Sequence, residues 1–429
     1  MWIRCPATAR RSSAGSAGCS NPPSRRSSAL IAENRRARAH IDIPLIMLVS
    51  MMSIFGVLAV CVATFSPASE AETWLAHIVE SSYAMRQCFF LLLAPIIVVV
   101  IMNIPFHIIR RFTKLVYIGA SGLVLFTLVT NGAEGVKAWT DVIWGMTIQP
   151  SEFIKLAMIL MLAQELAKSE QPMSTIKEFG RIMALILVPG VIILASGETG
   201  SLIVIIFLAA VMMFFSNVNM KLLLTLAAIV VLLILAVYGF VIATGVEDYR
   251  INRILAFLNP ELSPLDDAYQ MRQSQIAIGS GGTTGIGRFV DGAMSQLNYV
   301  PADWTDFIYS TIGEAWGFVG CILVLLMYLF IILRMLYLAR FTYDKFGMLV
   351  IIGVLGMLLF HVFENIGMTL GLMPITGIPL PFLSYGGSNM TTNMGGIALV
   401  LNVTKNRSLS AAISAPQTNT PTVRYIRRR

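Results

Sequence analysis

Long apolar runs recur from residue 42 to residue 403, and most are long enough to cross a bilayer as a helix, which takes about 20 residues. Inside lipid every backbone N–H and C=O must bond within the protein, so such runs become helices or parts of a closed barrel. The spans are expected at 42–65, 87–105, 112–130, 149–167, 181–197, 202–216, 222–244, 307–335, 346–370 and 383–403. Their length and unbroken apolar character favour helices over the alternating pattern of barrel strands. Composition agrees: apolar residues make up 56% of the chain and charged residues 13%, against roughly 25% charged in a soluble domain. The expected fold class is therefore all-α, a polytopic transmembrane bundle of about ten helices.

Charge gives the orientation. Residues 1–40 carry eight Arg and one acid, Glu33, and residues 405–429 carry six basic residues and no acid. The net charge of +8 thus sits in the two tails, and the stretch between them is net acidic. Tails of this kind beside membrane spans read as cytoplasmic segments held near anionic lipid, not as nucleic-acid-binding arms. With the N-terminus inside, the inward loops hold Arg110, Arg111, Lys114, Lys168, Lys177, Arg181, Lys221, Arg334, Arg340 and Lys345. The short outward loops hold only Arg86 and Lys137. Both termini are expected in the cytoplasm. Three regions follow: a disordered basic tail (1–40), a membrane domain (41–404) and a second basic tail (405–429).

One loop breaks the pattern. Residues 245–306, between the seventh and eighth spans, form a long outward segment with aromatic and aliphatic residues throughout, so an ordered structure is expected. Short helices and a Gly-rich turn at 279–287 are predicted there. Its basic residues are Arg250, Arg253, Arg272 and Arg288, whose planar guanidinium groups suit phosphate or carboxylate oxygens. They equally suit a solvated surface.

Ionisable groups at membrane depth are costly and tend to be functional. Glu152 and Lys155 are spaced i,i+3 and share a face of the fourth span, either as a structural ion pair or as part of a site. Asp306 stands where the long loop meets the eighth span. Partial burial there would raise its pKa and make it a proton acceptor near neutral pH, whereas a helix N-terminus would keep it ionised. Glu314 and Glu364 lie inside spans, and Glu198 sits at an outward turn. The Gly- and Pro-dense stretch 371–387 cannot be a regular helix, and irregular backbone at this depth belongs against protein or a wet cavity. The cysteines Cys5, Cys19, Cys61, Cys88 and Cys321 form no CxxC motif or Cys/His cluster, so no metal site is expected from them. Walker, Rossmann and HExxH motifs are absent, and GSGGTTGIG at 279–287 does not follow a strand, which argues against ATP-driven or redox chemistry.

Four stretches together resemble a known family: QPSEFIKLA at 149–157, YQMRQSQIAIGSGG at 269–282, TDFIYSTIGEAWGFVG at 305–320 and NIGMTLGLMPITGIPLPFLSYGGSN at 365–389. The resemblance is to the SEDS proteins of the bacterial cell wall, the RodA, FtsW and SpoVE group, and it covers residues 42–404. It implies ten transmembrane helices in the bacterial cytoplasmic membrane. It also implies a peptidoglycan glycosyltransferase that polymerises lipid II on the outer face, for elongation, division or sporulation. The implied partners are a class B penicillin-binding protein and other elongation or division proteins. The family's essential Asp matches Asp306, and its polar pair matches Glu152 and Lys155.

The implied chemistry is an inverting transfer in which Asp306 takes the proton from the acceptor hydroxyl. Lys155, a loop arginine or a divalent cation (Mg²⁺ or Mn²⁺) would meet the departing diphosphate. Gln149, Glu152, Lys155, Lys137, Arg250, Arg272, Gln273, Ser274 and Ser384 are the candidates for substrate binding. The chain departs from the family at Trp304, where His is common, at Gly197-Glu198-Thr199-Gly200, where a Pro-Asp-Leu-Gly turn is usual, and around Lys137 and Trp139. The wording at 374–381 resembles the elongation type. The competing functions are a lipid-linked sugar flippase and a non-catalytic scaffold that activates a partner synthase.

Overall fold

The computed structural model describes residues 41–65, 74–129, 140–143, 146–244, 253, 257, 267–290, 292–297 and 299–414. Lys137, Trp139, Arg250, most of the stretch 245–266 and residues 1–40 and 415–429 lie outside them.

In chain order the helices are α1 (Ile43–Ala63), α2 (Trp74–Glu80), α3 (Ser82–Asn103), α4 (Phe106–Val129), α5 (Pro150–Leu166), α6 (Ile176–Ala195), α7 (Thr199–Phe215), α8 (Met220–Thr244), α9 (Asp267–Ser280), α10 (Ile308–Arg340), α11 (Lys345–Thr369) and α12 (Gly387–Ser414). A helix therefore stands over each of the apolar stretches read from the sequence, and α12 runs beyond the expected end at 403. Six of them, α1, α3, α4, α6, α10 and α11, are long and apolar enough to cross a membrane. Helix α7 and residues 220–236 of α8 are shorter apolar helices. The short α2 and an antiparallel hairpin, β1 (Thr140–Ile143) with β2 (Met146–Ile148), have no counterpart in the sequence reading. The hairpin pairs Thr140 with Ile148 and Ile143 with Met146. Such short segments leave too few residues for a period of two to register.

The ends of the helices follow local chemistry. Asp42 caps α1 by accepting from the Leu45 N–H at 3.0 Å, with Pro44 in the first turn. The same carboxylate takes two hydrogen bonds from Arg334 of α10, at 3.0 and 2.7 Å. Asp344 caps α11 through the Gly347 N–H at 2.8 Å, and Thr175 caps α6 through the Glu178 N–H at 3.3 Å.

Helices α5 and α11 form the centre, buried on nearly every face. Around them pack α7, α10 and α12, while α3, α4, α6 and α8 present apolar side chains outward, as lipid-facing helices do.

Helix α10 is not continuous. Gly317 has φ 65° and ψ −161°, outside the helical region. The Gly-rich turn after α9 enters the gap. The N–H groups of Phe318 and Val319 donate to the carbonyls of Gly282 and Thr283 at 2.9 and 3.1 Å, and the Ile286 N–H donates to the Glu314 carbonyl at 3.0 Å. Backbone meets backbone here: a Cβ on Gly281 would lie 1.9 Å from the Gly313 carbonyl oxygen, and one on Gly317 would lie 2.3 Å from the Gly285 nitrogen. Only glycine permits this approach. The expected Gly-rich turn at 279–287 is thus present, and its role is to dock onto a broken helix.

Candidate functional site

Asp306 occupies the turn that leads into α10. Its N–H donates to the Ala302 carbonyl at 3.1 Å. Its own carbonyl accepts from Asn365 Nδ2 of α11 at 2.7 Å, and the same amide nitrogen donates to the Ile378 carbonyl at 2.8 Å. Asn365 therefore ties the end of the long loop and the Pro-rich segment to one point on the central helix. The carboxylate lies beside Gly377: a Cβ there would stand 3.4 Å from Asp306 Oδ2, and the backbone at φ +69° is one that glycine adopts readily. Asp306 is half-buried. Burial lifts its carboxyl to about 6, and the charge of Arg253 pulls the other way.

Asp303, three residues earlier, is a different kind of group. It is buried, and neither carboxylate oxygen has a hydrogen bond of good geometry, although the Trp304 amide and the Thr311 hydroxyl lie against it. Burial pushes its carboxyl well above the usual range, and the charge of Glu314 adds to the shift. Glu314 itself accepts from the Met294 and Ser295 N–H groups at 2.6 and 3.1 Å, fixing the loop strand to α10.

A second polar group forms inside the bundle. Lys155 Nζ lies 2.6 Å from Glu152 Oε1 and 3.0 Å from His361 Nε2 of α11. Lys155 is 1% exposed, Glu152 2% and His361 1%. Glu152 Oε2 is buried with no hydrogen-bond partner. One turn towards the start of α5, Gln149 Nε2 donates to Glu198 Oε1 at 2.9 Å, and the Gln149 N–H donates to Ser388 Oγ at 3.0 Å. Burial raises the Glu198 carboxyl; Ser151, Gln149 and Ser201 oppose the shift, and the Glu152 charge adds to it. The two groups flank one segment. A Cβ on Gly200, at the start of α7, would lie 2.9 Å from the Thr376 carbonyl, and Thr376 is next to Gly377.

The remaining candidates separate. Ser384 is buried; its hydroxyl donates to the Thr305 carbonyl at 2.5 Å and accepts from the Leu380 N–H at 2.7 Å. Ser274 is also buried and donates to the Thr369 carbonyl at 2.9 Å, seating α9 on the end of α11. Both hydroxyls are engaged with backbone. Arg272 on α9 is exposed and Gln273 half-buried. Trp304, in place of the family's usual His, stacks on Tyr83 with centroids 5.2 Å apart.

The family model of the FtsW, RodA and SpoVE group, described as "Cell cycle protein", matches residues 43–409. The chain belongs to this family. Among its relatives, the peptidoglycan glycosyltransferase MrdB of Escherichia coli K12 is 31% identical over 316 residues, 73% of this chain and 83% of the relative. Stage V sporulation protein E of Bacillus subtilis is 30% identical over 361 residues, 83% of this chain and 96% of the relative. A structure described as a peptidoglycan synthase complex coordinating polymerisation and crosslinking matches with a TM-score of 0.69 and 27% identity, over 86% of this chain and 98% of the other. RodA of Thermus thermophilus matches with a TM-score of 0.62 and 25% identity over 86% and 97%.

Sequence reading missed the roles of His361 and Asn365. Both sit on α11, four residues apart and so on one helix face. A lone histidine within an apolar span is a signal that could have flagged the first. Asn365 lay inside a quoted stretch, but its two carbonyl partners, distant in sequence, could not be read from it.

Proposed function

We propose that the chain is a peptidoglycan glycosyltransferase that polymerises lipid II on the outer face of the bacterial cytoplasmic membrane. In this reading ten helices cross the membrane, both termini are cytoplasmic, and a class B penicillin-binding protein crosslinks the product. The observation that carries the reading is Asp306: a half-buried carboxyl, braced by Asn365, with a pKa of about 6. A base of that strength is matched to work near neutral pH.

The acceptor sugar's hydroxyl oxygen attacks the anomeric carbon of the donor. The bond from that carbon to the diphosphate oxygen breaks, and the hydroxyl proton passes to Asp306. Because attack and departure occur on opposite faces, the configuration inverts. The diphosphate is a good leaving group, so a strong general acid is not required. Lys155 is enclosed and engaged by Glu152 and His361; it acts by holding Glu152, whose second oxygen is the open hydrogen-bonding position. Among the described residues no cluster of three or more His, Cys, Asp or Glu gathers as a cage for a metal. A Mg²⁺ or Mn²⁺ ion that assists would be held chiefly by the diphosphate, as Mg²⁺ often is.

The test is polymerisation of lipid II by purified protein. General-base assistance is worth about 10²–10⁴ in rate. Asp306→Asn is expected to lose activity on that order while keeping its thermal stability. Glycan chains made by Asp306→Asn at the wild-type rate would refute the assignment.

A further inference from the structure

We infer that His361 is a positioning residue: its bare Nε2 fixes the Lys155 ammonium, and so the Glu152 carboxylate, in the geometry the site uses. The inference rests on the function proposed above for its effect on rate, but not for its structural content.

His361 Nδ1 lies 2.6 Å from the Met357 carbonyl, one turn back on the same helix. A carbonyl only accepts, so Nδ1 carries the proton. The other ring nitrogen faces Lys155 Nζ at 3.0 Å. An ammonium only donates, so Nε2 is unprotonated and accepts. The ring is thus a neutral imidazole locked in one tautomer by its own helix. Lys155 accordingly has two acceptors: the carboxylate of Glu152 on its own helix and the imidazole of His361 on a neighbour.

Removing the second acceptor leaves a buried ammonium held from one side. The open oxygen of Glu152 then loses its fixed position, because the ion pair can turn as a unit. No other residue among those described shows a hydrogen bond that would hold Lys155 to α11.

Two substitutions separate positioning from packing. The terminal amide of Gln reaches as far from Cα as Nε2 does, so His361→Gln keeps an acceptor for Lys155. The amide of Asn reaches only as far as Nδ1, so His361→Asn keeps the bond to Met357 and loses the acceptor. Lipid II polymerisation and acylation of Lys155 by a small amine-reactive reagent, read by mass spectrometry, are measured on the full-length protein. His361→Gln is expected within about threefold of wild type in kcat. His361→Asn is expected to fall about 10- to 100-fold in kcat, the equivalent of one hydrogen bond to a charged group, with KM little changed. Lys155 acylation should rise in the Asn variant and not in the Gln variant. If the Asn variant fails to fold, His361→Met fills the space without a strong acceptor and replaces it. Equal behaviour of the acceptor-keeping and acceptor-lacking variants in acylation overturns the inference. A wild type that makes no glycan overturns the proposed function instead, and the acylation contrast still decides the role of His361.

Discussion

The carboxyl of Asp306 feels the charge of Arg253, and the effect is open to titration. The base must be ionised to accept a proton. With a pKa of about 6, the rate should rise with pH through that value and level off above about pH 7, where most of the carboxyl is ionised. Arg253 lowers the pKa against the effect of burial. Arg253→Gln should therefore shift the acid limb of the pH–rate profile to higher pH, and a profile that stays in place would remove Arg253 from the site. Its place at a loop–span junction marked Asp306 as a candidate but left a helix N-terminal carboxylate equally open; the resemblance of the surrounding motif to the family singled it out. Arg253 was named only as one of four loop arginines, since which arginine's charge is felt at Asp306 depends on how the loop folds back. Ser274 and Ser384, named as candidates for substrate binding, are found bonded to backbone carbonyls. Their motifs mark them, but sequence cannot tell a hydroxyl facing substrate from one bonded to a backbone carbonyl.

At the scale of elements, α10 and the turn after α9 form a single joint. Gly317 has a backbone conformation reserved to glycine, and such positions cost about 1–3 kcal/mol for other residues. Gly317→Ala should lower stability by at least that much, because the added carbon would also strike Gly285. Thermal unfolding followed by intrinsic fluorescence reads the loss. A wild-type melting temperature in Gly317→Ala would mean that the break in the helix is not imposed by this contact. The glycine run itself was plain in the sequence. Its docking partner was not, because Gly317 sits in an apolar run that reads as uninterrupted helix. Central α11 was similarly half-legible: its apolar character gave the span, while the duties of His361 and Asn365 on one face depend on neighbours from other helices.

At the scale of the molecule, the apolar runs placed the helices well, since burial in lipid leaves so few backbone choices. What they could not give is depth of packing: α5 and α8 read alike as spans, yet one is enclosed and the other exposed. The clasp between Asp42 and Arg334 lies at the opposite end of α10 from Asp306 and tests whether the ends are independent. Arg334→Ala should destabilise by about 1–2 kcal/mol, the value of a partly exposed charged hydrogen-bond pair, and leave glycan synthesis per folded molecule unchanged. A fall in specific activity would mean that strain travels along the whole helix. The joint at Gly317 carries one more implication, about the order of events in synthesis. Asp306 lies in sequence between the two halves of that joint, Gly281–Gly285 and Gly313–Val319. The ring of chain that contains the base cannot close until residue 319 has left the ribosome and entered the membrane. A nascent chain stopped any earlier holds Asp306 on an open tether, so the enzyme comes off the production line unarmed until α10 is in place.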